Sequence, residues 1–166
     1  AHGGGTTTVS HDQGQTFKTA AAWSGDTDAA TIKGNLWAPD IIYNPAMEKW
    51  CLYYSMSGDS SNFRSSVFLM TADNITGPYE FDGFVVFSGF APADKGSGAG
   101  LDDYKAVTGD ADGSELGRYV NSENKWNNNY GVSCIDPAVL YDETGDLSMF
   151  YGSWAGGISL LQLTNE

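Results

Sequence analysis

The residue best placed for chemistry is Asp136, in the run Ser133-Cys134-Ile135-Asp136-Pro137-Ala138-Val139-Leu140-Tyr141. It sets one carboxylate among apolar residues, immediately before a proline. A carboxylate so placed can serve acid–base chemistry, or it can accept local backbone hydrogen bonds at a strand start. Proline removes a backbone donor and fixes its own φ, which suits a strand edge and gives the preceding side chain a defined direction. Asp40, in Trp37-Ala38-Pro39-Asp40, instead follows its proline and reads first as a structural acceptor. Trp37 can lay its face on the C–H face of a sugar, or simply pack. Ser153 sits in Gly152-Ser153-Trp154-Ala155-Gly156-Gly157, where glycines bring backbone close to a ligand or merely permit a turn.

Other reactive types fit structural roles. Cys51 and Cys134 are far apart and show no metal-ligand spacing, so zinc is not expected. They read as two buried free thiols, with a disulfide as the alternative. His11-Asp12 resembles a catalytic pair, but Ser10 to Phe17 matches the S-x-D-x-G-x-T-W/F turn called an Asp box, whose carboxylate caps a β-hairpin.

The elements that must position these residues are strands. The chain has 166 residues, with 21 Gly, 9 Tyr, 8 Phe and 5 Trp, a composition that favours strands and tight turns over helix bundles. Trp50 to Ser57 alternates Trp50, Leu52, Tyr54 and Met56 against Cys51, Tyr53, Ser55 and Ser57, both faces largely apolar as in a sandwiched sheet. Ser66 to Ala72 and Phe84 to Phe87 are further strands, joined through a turn at Asn74 to Pro78.

A repeat organises them. Pro39-Asp40-Ile41-Ile42-Tyr43 matches Pro137-Ala138-Val139-Leu140-Tyr141, 98 residues on. With a one-residue gap in the turn, Trp50 to Ser55 then falls on Leu147 to Gly152, and each copy continues into a further strand, Ser66 to Ala72 and Ile158 to Leu163. The unit is a propeller blade, which usually takes about 40 to 50 residues, so the excess points to an insertion. Residues 91–130, rich in Gly, Asp and Asn and without sustained period, supply it, as a rim elaboration or a mobile flap.

The expected fold is therefore an all-β propeller: 1–35 the end of one blade, 36–90 a second, 91–130 the insertion and 131–166 most of a third. Closed propellers need at least about four blades, so a larger protein is expected, with two unpaired blade faces in this portion. The innermost strand of each blade lines the channel, which places Trp37 to Asp40 and Cys134 to Pro137 nearest a ligand.

Charge bounds the partners. Lys and Arg total 8 against 21 Asp and Glu, a formal net charge of −13 that repels phosphate backbones and anionic membrane surfaces. Nucleic acid and membrane are not expected partners. No apolar run is long enough to span a bilayer, and Ala1 to Gly5 lacks a signal-peptide pattern, so any leader lies outside this chain.

Leu36-Trp37-Ala38-Pro39-Asp40-Ile41, Leu52-Tyr53-Tyr54-Ser55-Met56-Ser57, Thr76-Gly77-Pro78-Tyr79, Ile135-Asp136-Pro137 and Tyr151 to Ile158 together resemble glycoside hydrolase family 43, in its arabinanase-like group of endo-1,5-α-L-arabinanases, arabinofuranosidases and β-xylosidases. The resemblance implies a five-bladed propeller, about half of it in this chain, that cleaves arabinose- or xylose-containing polysaccharides with inversion. α-1,5-Arabinan is the leading substrate. Inversion needs a general base and a general acid about 6.5 to 9.5 Å apart, leaving room for the attacking water. The resemblance gives Asp136 a third role, raising the pKa of the acid and orienting it. It places the base upstream and the acid downstream of these residues, so the chain alone should hydrolyse nothing. Trp37, Tyr130 and Ser153 are the expected sugar-binding residues. No metal or cofactor is assigned within the chain; a channel calcium in the complete propeller would take its protein ligand downstream. The expected location is extracellular or periplasmic. The rival readings are a non-catalytic carbohydrate-binding propeller, a sialidase-type propeller, for which Arg64 and Arg118 are too few arginines, and a structural or partner-binding propeller.

Overall fold

The computed structural model describes residues 6–7, 32–33, 36–57, 64–91, 112–153 and 156–164. The Asp box and Trp154 lie outside the described residues. Nine strands and one short helix make up the described elements. Strands β1 (Thr6–Thr7) and β2 (Ile32–Lys33) form a two-stranded sheet. Strands β3 (Leu36–Asn44), β4 (Lys49–Ser57), β5 (Ser65–Ala72) and β6 (Glu80–Ser88) form an antiparallel meander paired in chain order. After helix α1 (Leu116–Tyr119), strands β7 (Ala138–Tyr141), β8 (Leu147–Tyr151) and β9 (Ser159–Gln162) form a second, three-stranded meander.

The two-faced strand at Trp50 to Ser57 explains how the meanders pack. Cys51 and Tyr53 of β4 join Val67 of β5 on one face and meet Cys134 and Met149 in a single buried cluster, flanked by Ile42, Val86, Val139 and Leu161. This cluster is the seam between the two blades. Tyr54, Met56 and Phe68 bury the opposite face of the first meander, with Met70, Phe81 and Phe84 against them. The outer face of the second meander carries exposed Leu140, Phe150 and Leu160, the kind of face that a neighbouring blade covers in a closed propeller. Cys51 and Cys134 are both free and buried, so the disulfide alternative is set aside.

The sequence repeat extends to backbone detail. In β3 the pairing with β4 runs Trp37 to Ser55 and then Asp40 to Tyr53, a bulge at Ala38-Pro39. In the second blade Gly152 N–H donates to the Ile135 carbonyl at 2.8 Å, whereas Ala138 pairs with Phe150, so the same slip falls at Asp136-Pro137. The residues before the two prolines, Ala38 (φ 41°) and Asp136 (φ 53°), are both left-handed. The first turns match as well. Asn44 Oδ1 accepts from the N–H groups of Ala46 and Met47, and Asp142 Oδ1 from those of Thr144 and Asp146. Glu48 (φ 54°) and Gly145 (φ 89°) then take the left-handed position that ends each turn.

The described half of the insertion is folded onto the first meander. Helix α1 and a bridge between Val120 and Trp126 frame it, and Trp126 packs with Phe90 in a cluster that also holds Phe87, Leu116 and Tyr119.

Candidate functional site

Asp136 is held in place through its neighbours. Ser88 Oγ, at the end of β6, accepts from Cys134 N–H at 3.0 Å, and Ser65 Oγ, at the start of β5, donates to the Cys134 carbonyl at 2.6 Å. Both serines are buried, so these bonds form away from competing water. On the other side of the segment, Ile135 is fixed by Gly152 and Val139 N–H donates to Asp40 Oδ2 at 2.7 Å. Four bonds from three directions thus clamp residues 134–139.

The Asp136 carboxylate takes no part in this clamp. It is half-buried and has no hydrogen-bond or ionic partner among the described residues. A strand-start acceptor would bond nearby N–H groups, so local capping does not explain it. Its left-handed φ differs from the extended conformation that a following proline normally favours. The bulge is the cause, since an extra residue needs a local reversal, and Asp tolerates the left-handed region better than most residues. Asp40 behaves in the opposite way. Its Oδ1 accepts from Ile41 N–H at 2.9 Å while Oδ2 takes the Val139 N–H, so both oxygens are used and one of them joins the two blades.

Trp37 is 51% exposed and occupies the bulge position equivalent to Ile135; its carbonyl accepts from Ser55 Oγ at 2.7 Å. Because Ser65 pairs with Ser57 and Ser88, Trp37 and the Cys134 anchor belong to the same end of the first meander. Ser153 follows Gly152 directly and is half-buried, with no hydrogen-bond partner among the described residues.

Glycines around Ser153 serve protein packing. A Cβ on Gly152 would lie 2.5 Å from the Gly157 carbonyl oxygen, and one on Gly156 2.8 Å from that of Gly131. The loop after β8 therefore rests on residues 128–132, and Tyr130 stands on the segment it touches. Tyr130 is 52% exposed, with the Tyr119 ring at 5.2 Å in an edge arrangement and the Arg118 guanidinium 6.0 Å from its centroid. The structure thus brings Ser153 and Asp136 to the same end of the antiparallel pair β7 and β8, sets Tyr130 beside their loop, and places Trp37 at the matching position of the neighbouring blade.

Sequence reasoning missed Ser65 and Ser88, which lie 69 and 46 residues from Cys134 with no local pattern to link them. It also missed Asn127, although the run Asn127-Asn128-Asn129 before Tyr130-Gly131 is itself a turn signal. Among the described residues no group of three or more His, Cys, Asp or Glu side chains is placed to hold a metal ion. Burial pushes the Cys51 thiol up to about 11 and raises that of Cys134 further, so both stay protonated at neutral pH and neither is a nucleophile.

No family profile matches the chain. An extracellular endo-α-(1→5)-L-arabinanase of Thermotoga petrophila is 31% identical over 134 residues, covering 81% of this chain and 23% of that protein. A second, from Bacillus subtilis, is 27% identical over 128 residues, covering 77% and 21%. The crystal structure of an endo-1,5-α-L-arabinanase from Thermotoga petrophila superposes with a TM-score of 0.64 at 24% identity, over 96% of this chain and 30% of that one. A glycoside hydrolase family 43 protein from Bacillus licheniformis superposes at 0.61 and 23% identity, with the same coverage. These likenesses support a glycoside hydrolase family 43, arabinanase-like protein. The chain is all-β and folds as part of the five-bladed propeller of these neighbours. It spans less than a quarter of the length of the two curated relatives just described.

Proposed function

We propose that this chain forms part of an inverting glycoside hydrolase that cleaves arabinose- or xylose-containing polysaccharides, with α-1,5-arabinan the leading substrate. One observation carries the reading: within a segment clamped by four hydrogen bonds, the Asp136 carboxylate is left without a partner among the described residues. A half-buried carboxylate carried on a clamped backbone is suited to acting on a second ionisable group. Beside a carboxylic acid a carboxylate disfavours ionisation of that acid and keeps its proton available near neutral pH, and a hydrogen bond between the two orients the acid. Asp136 is accordingly the tuning carboxylate, while the general base and general acid come from outside these 166 residues. Trp37, Ser153 and Tyr130 shape the sugar subsites, the two aromatic rings by stacking and Ser153 by its hydroxyl, which has no hydrogen-bond partner among the described residues. The curated relatives are named extracellular, which supports the same location here.

The test uses the complete protein that carries these residues, incubated with debranched arabinan and with xylan while reducing ends are measured. Hydrolysis of arabinan is expected, with Asp136→Asn reducing kcat by about 100-fold or more and leaving KM within a few-fold, as loss of an acid–base contribution predicts. Equal turnover in parent and variant would sink the role of Asp136. Glycan binding without any hydrolysis would favour a non-catalytic carbohydrate-binding propeller.

A further inference from the structure

We propose that Tyr130, braced by Arg118 and Asn127, is a rigid stacking platform for a neutral sugar residue of the glycan chain beyond the cleavage point. The platform therefore sets a preference for longer substrates. The proposal rests on the glycan-hydrolase reading above and assigns a use to the described part of the insertion.

Asn127 builds the platform. Its N–H donates to the Tyr119 carbonyl at 2.8 Å and its Nδ2 to the Arg118 carbonyl at 2.9 Å, tying the turn to the end of α1. Its own carbonyl accepts from Tyr130 and Gly131, both at 3.0 Å, and its Oδ1 from Asn129 N–H at 3.1 Å. One side chain and its peptide groups thus fix Arg118 and Tyr130 relative to each other. Beneath them Tyr119 stacks on Trp126 at 5.9 Å, and Trp126 lies so close to the backbone that a Cβ on Gly131 would fall 2.4 Å from its ring.

This effort orders a ring that is not buried. Tyr130 keeps half its surface exposed while Tyr119 is half-buried and Trp126 is buried. An aromatic ring immobilised before binding loses little freedom when a ligand stacks on it, which is the advantage of a preorganised platform. The rim is polar. Arg118 and Asn129, both exposed, edge the ring with polar groups. A sugar ring, with an apolar C–H face edged by hydroxyls, matches an aromatic face with polar neighbours. Arg118 is paired with Glu115, so the platform carries no unbalanced positive charge to select an acidic glycan.

The platform is displaced from the reacting bond. Gly156 rests on the Gly131 and Asn128 carbonyls, and Gly152, at the other end of the same loop, holds Ile135 beside Asp136. Tyr130 thus stands on the segment that meets one end of this loop and Asp136 beside the residue held by its other end, the relation expected of adjoining subsites.

Tyr130→Ala in the complete protein tests this, with kcat/KM measured on arabino-oligosaccharides of increasing length and on a single-sugar chromogenic arabinoside. The expected loss is about five- to ten-fold on long substrates, carried by KM, and less than about two-fold on the single sugar. Tyr130→Phe keeps the ring and should restore most of it, and Asn127→Ala should reproduce part of the loss with the ring still present. A loss independent of substrate length, or none at all, overturns the platform. Calorimetric binding of arabino-oligosaccharides separates this from the hydrolase reading. Binding weakened by Tyr130→Ala in a protein that cleaves nothing supports the platform and rejects the hydrolase; cleavage with unweakened binding does the reverse.

Discussion

Replacing Asp40 and replacing Asp136 should have opposite consequences, although both are aspartates beside a proline in equivalent bulges. Asp40 spends both carboxylate oxygens on backbone donors, Ile41 N–H at 2.9 Å and Val139 N–H at 2.7 Å, and the second bond crosses between blades. A hydrogen bond to a charged group contributes about 1.5–3 kcal/mol net, and Asp40→Ala leaves the partly buried Val139 N–H without its acceptor, so about 2 kcal/mol is the expected cost. For a chain of this size that lowers Tm by about 4–8 °C. Asp136 has no described partner to lose, and asparagine tolerates its left-handed φ, so Asp136→Asn should stay within about 0.5 kcal/mol of the parent. Asp136→Ala should cost about 1 kcal/mol more than Asp136→Asn, because alanine lacks that tolerance. Thermal unfolding followed by near-ultraviolet circular dichroism, with a urea titration alongside, measures all three. If Asp136→Asn destabilised the protein as much as Asp40→Ala, the Asp136 carboxylate would have a structural bond, and the argument for its functional role would fail.

Two further outcomes follow from the seam between the blades. Met149 is fully buried there, and Met149→Ala should cost about 2–5 kcal/mol in urea denaturation, against less than about 1.5 kcal/mol for Met149→Leu, which preserves volume. Cys51 has its folded pKa raised from 9.0 to about 11 by burial, so the unfolded chain releases its proton first as pH rises. Its contribution is fully present below pH 9 and lost as pH climbs through about 11, a fall of about 1.4 kcal/mol per pH unit in that window; Cys51→Ala should remove this share of the slope and leave the share due to the buried Cys134 thiol and Tyr53 hydroxyl, both also raised by burial.

The repeat was legible in sequence because it is written in residues that constrain backbone or burial. Prolines at 39 and 137, tyrosines at 43 and 141 and the apolar runs between them set a frame that the structure reproduces through the bulge, the turn caps at Asn44 and Asp142, and the left-handed exits at Glu48 and Gly145. The bulge was not legible, since it exists only in relation to a partner strand. The proline rule alone favours an extended residue before it, and the pairing slip supplied by Ser55 and Gly152 overrides that preference in both blades. The insertion was opaque for a different reason. Its described half is ordered by ring stacking and by backbone bonds converging on Asn127, neither of which leaves a period in the sequence.

These differences bear on how the site is made. The bulge and its proline recur in two blades, so they belong to the repeat and carry no function by themselves; Ala38 occupies the same strained position as Asp136 with no carboxylate at all. What differs between the blades is the surroundings. In the second, Ser65 and Ser88 reach across from the first and take both polar groups of the Cys134 peptide backbone, fixing the chain two residues before Asp136. Among the described residues, bonds from a neighbouring blade immobilise this backbone feature in the second copy, where the aspartate stands. Hydrogen bonds formed by buried hydroxyls across a blade seam hold a side chain more firmly than a single strand edge does, because water cannot compete for them. Asp136 therefore depends on both blades being docked, and a variant that loosens the seam without touching Asp136 should impair whatever that carboxylate does.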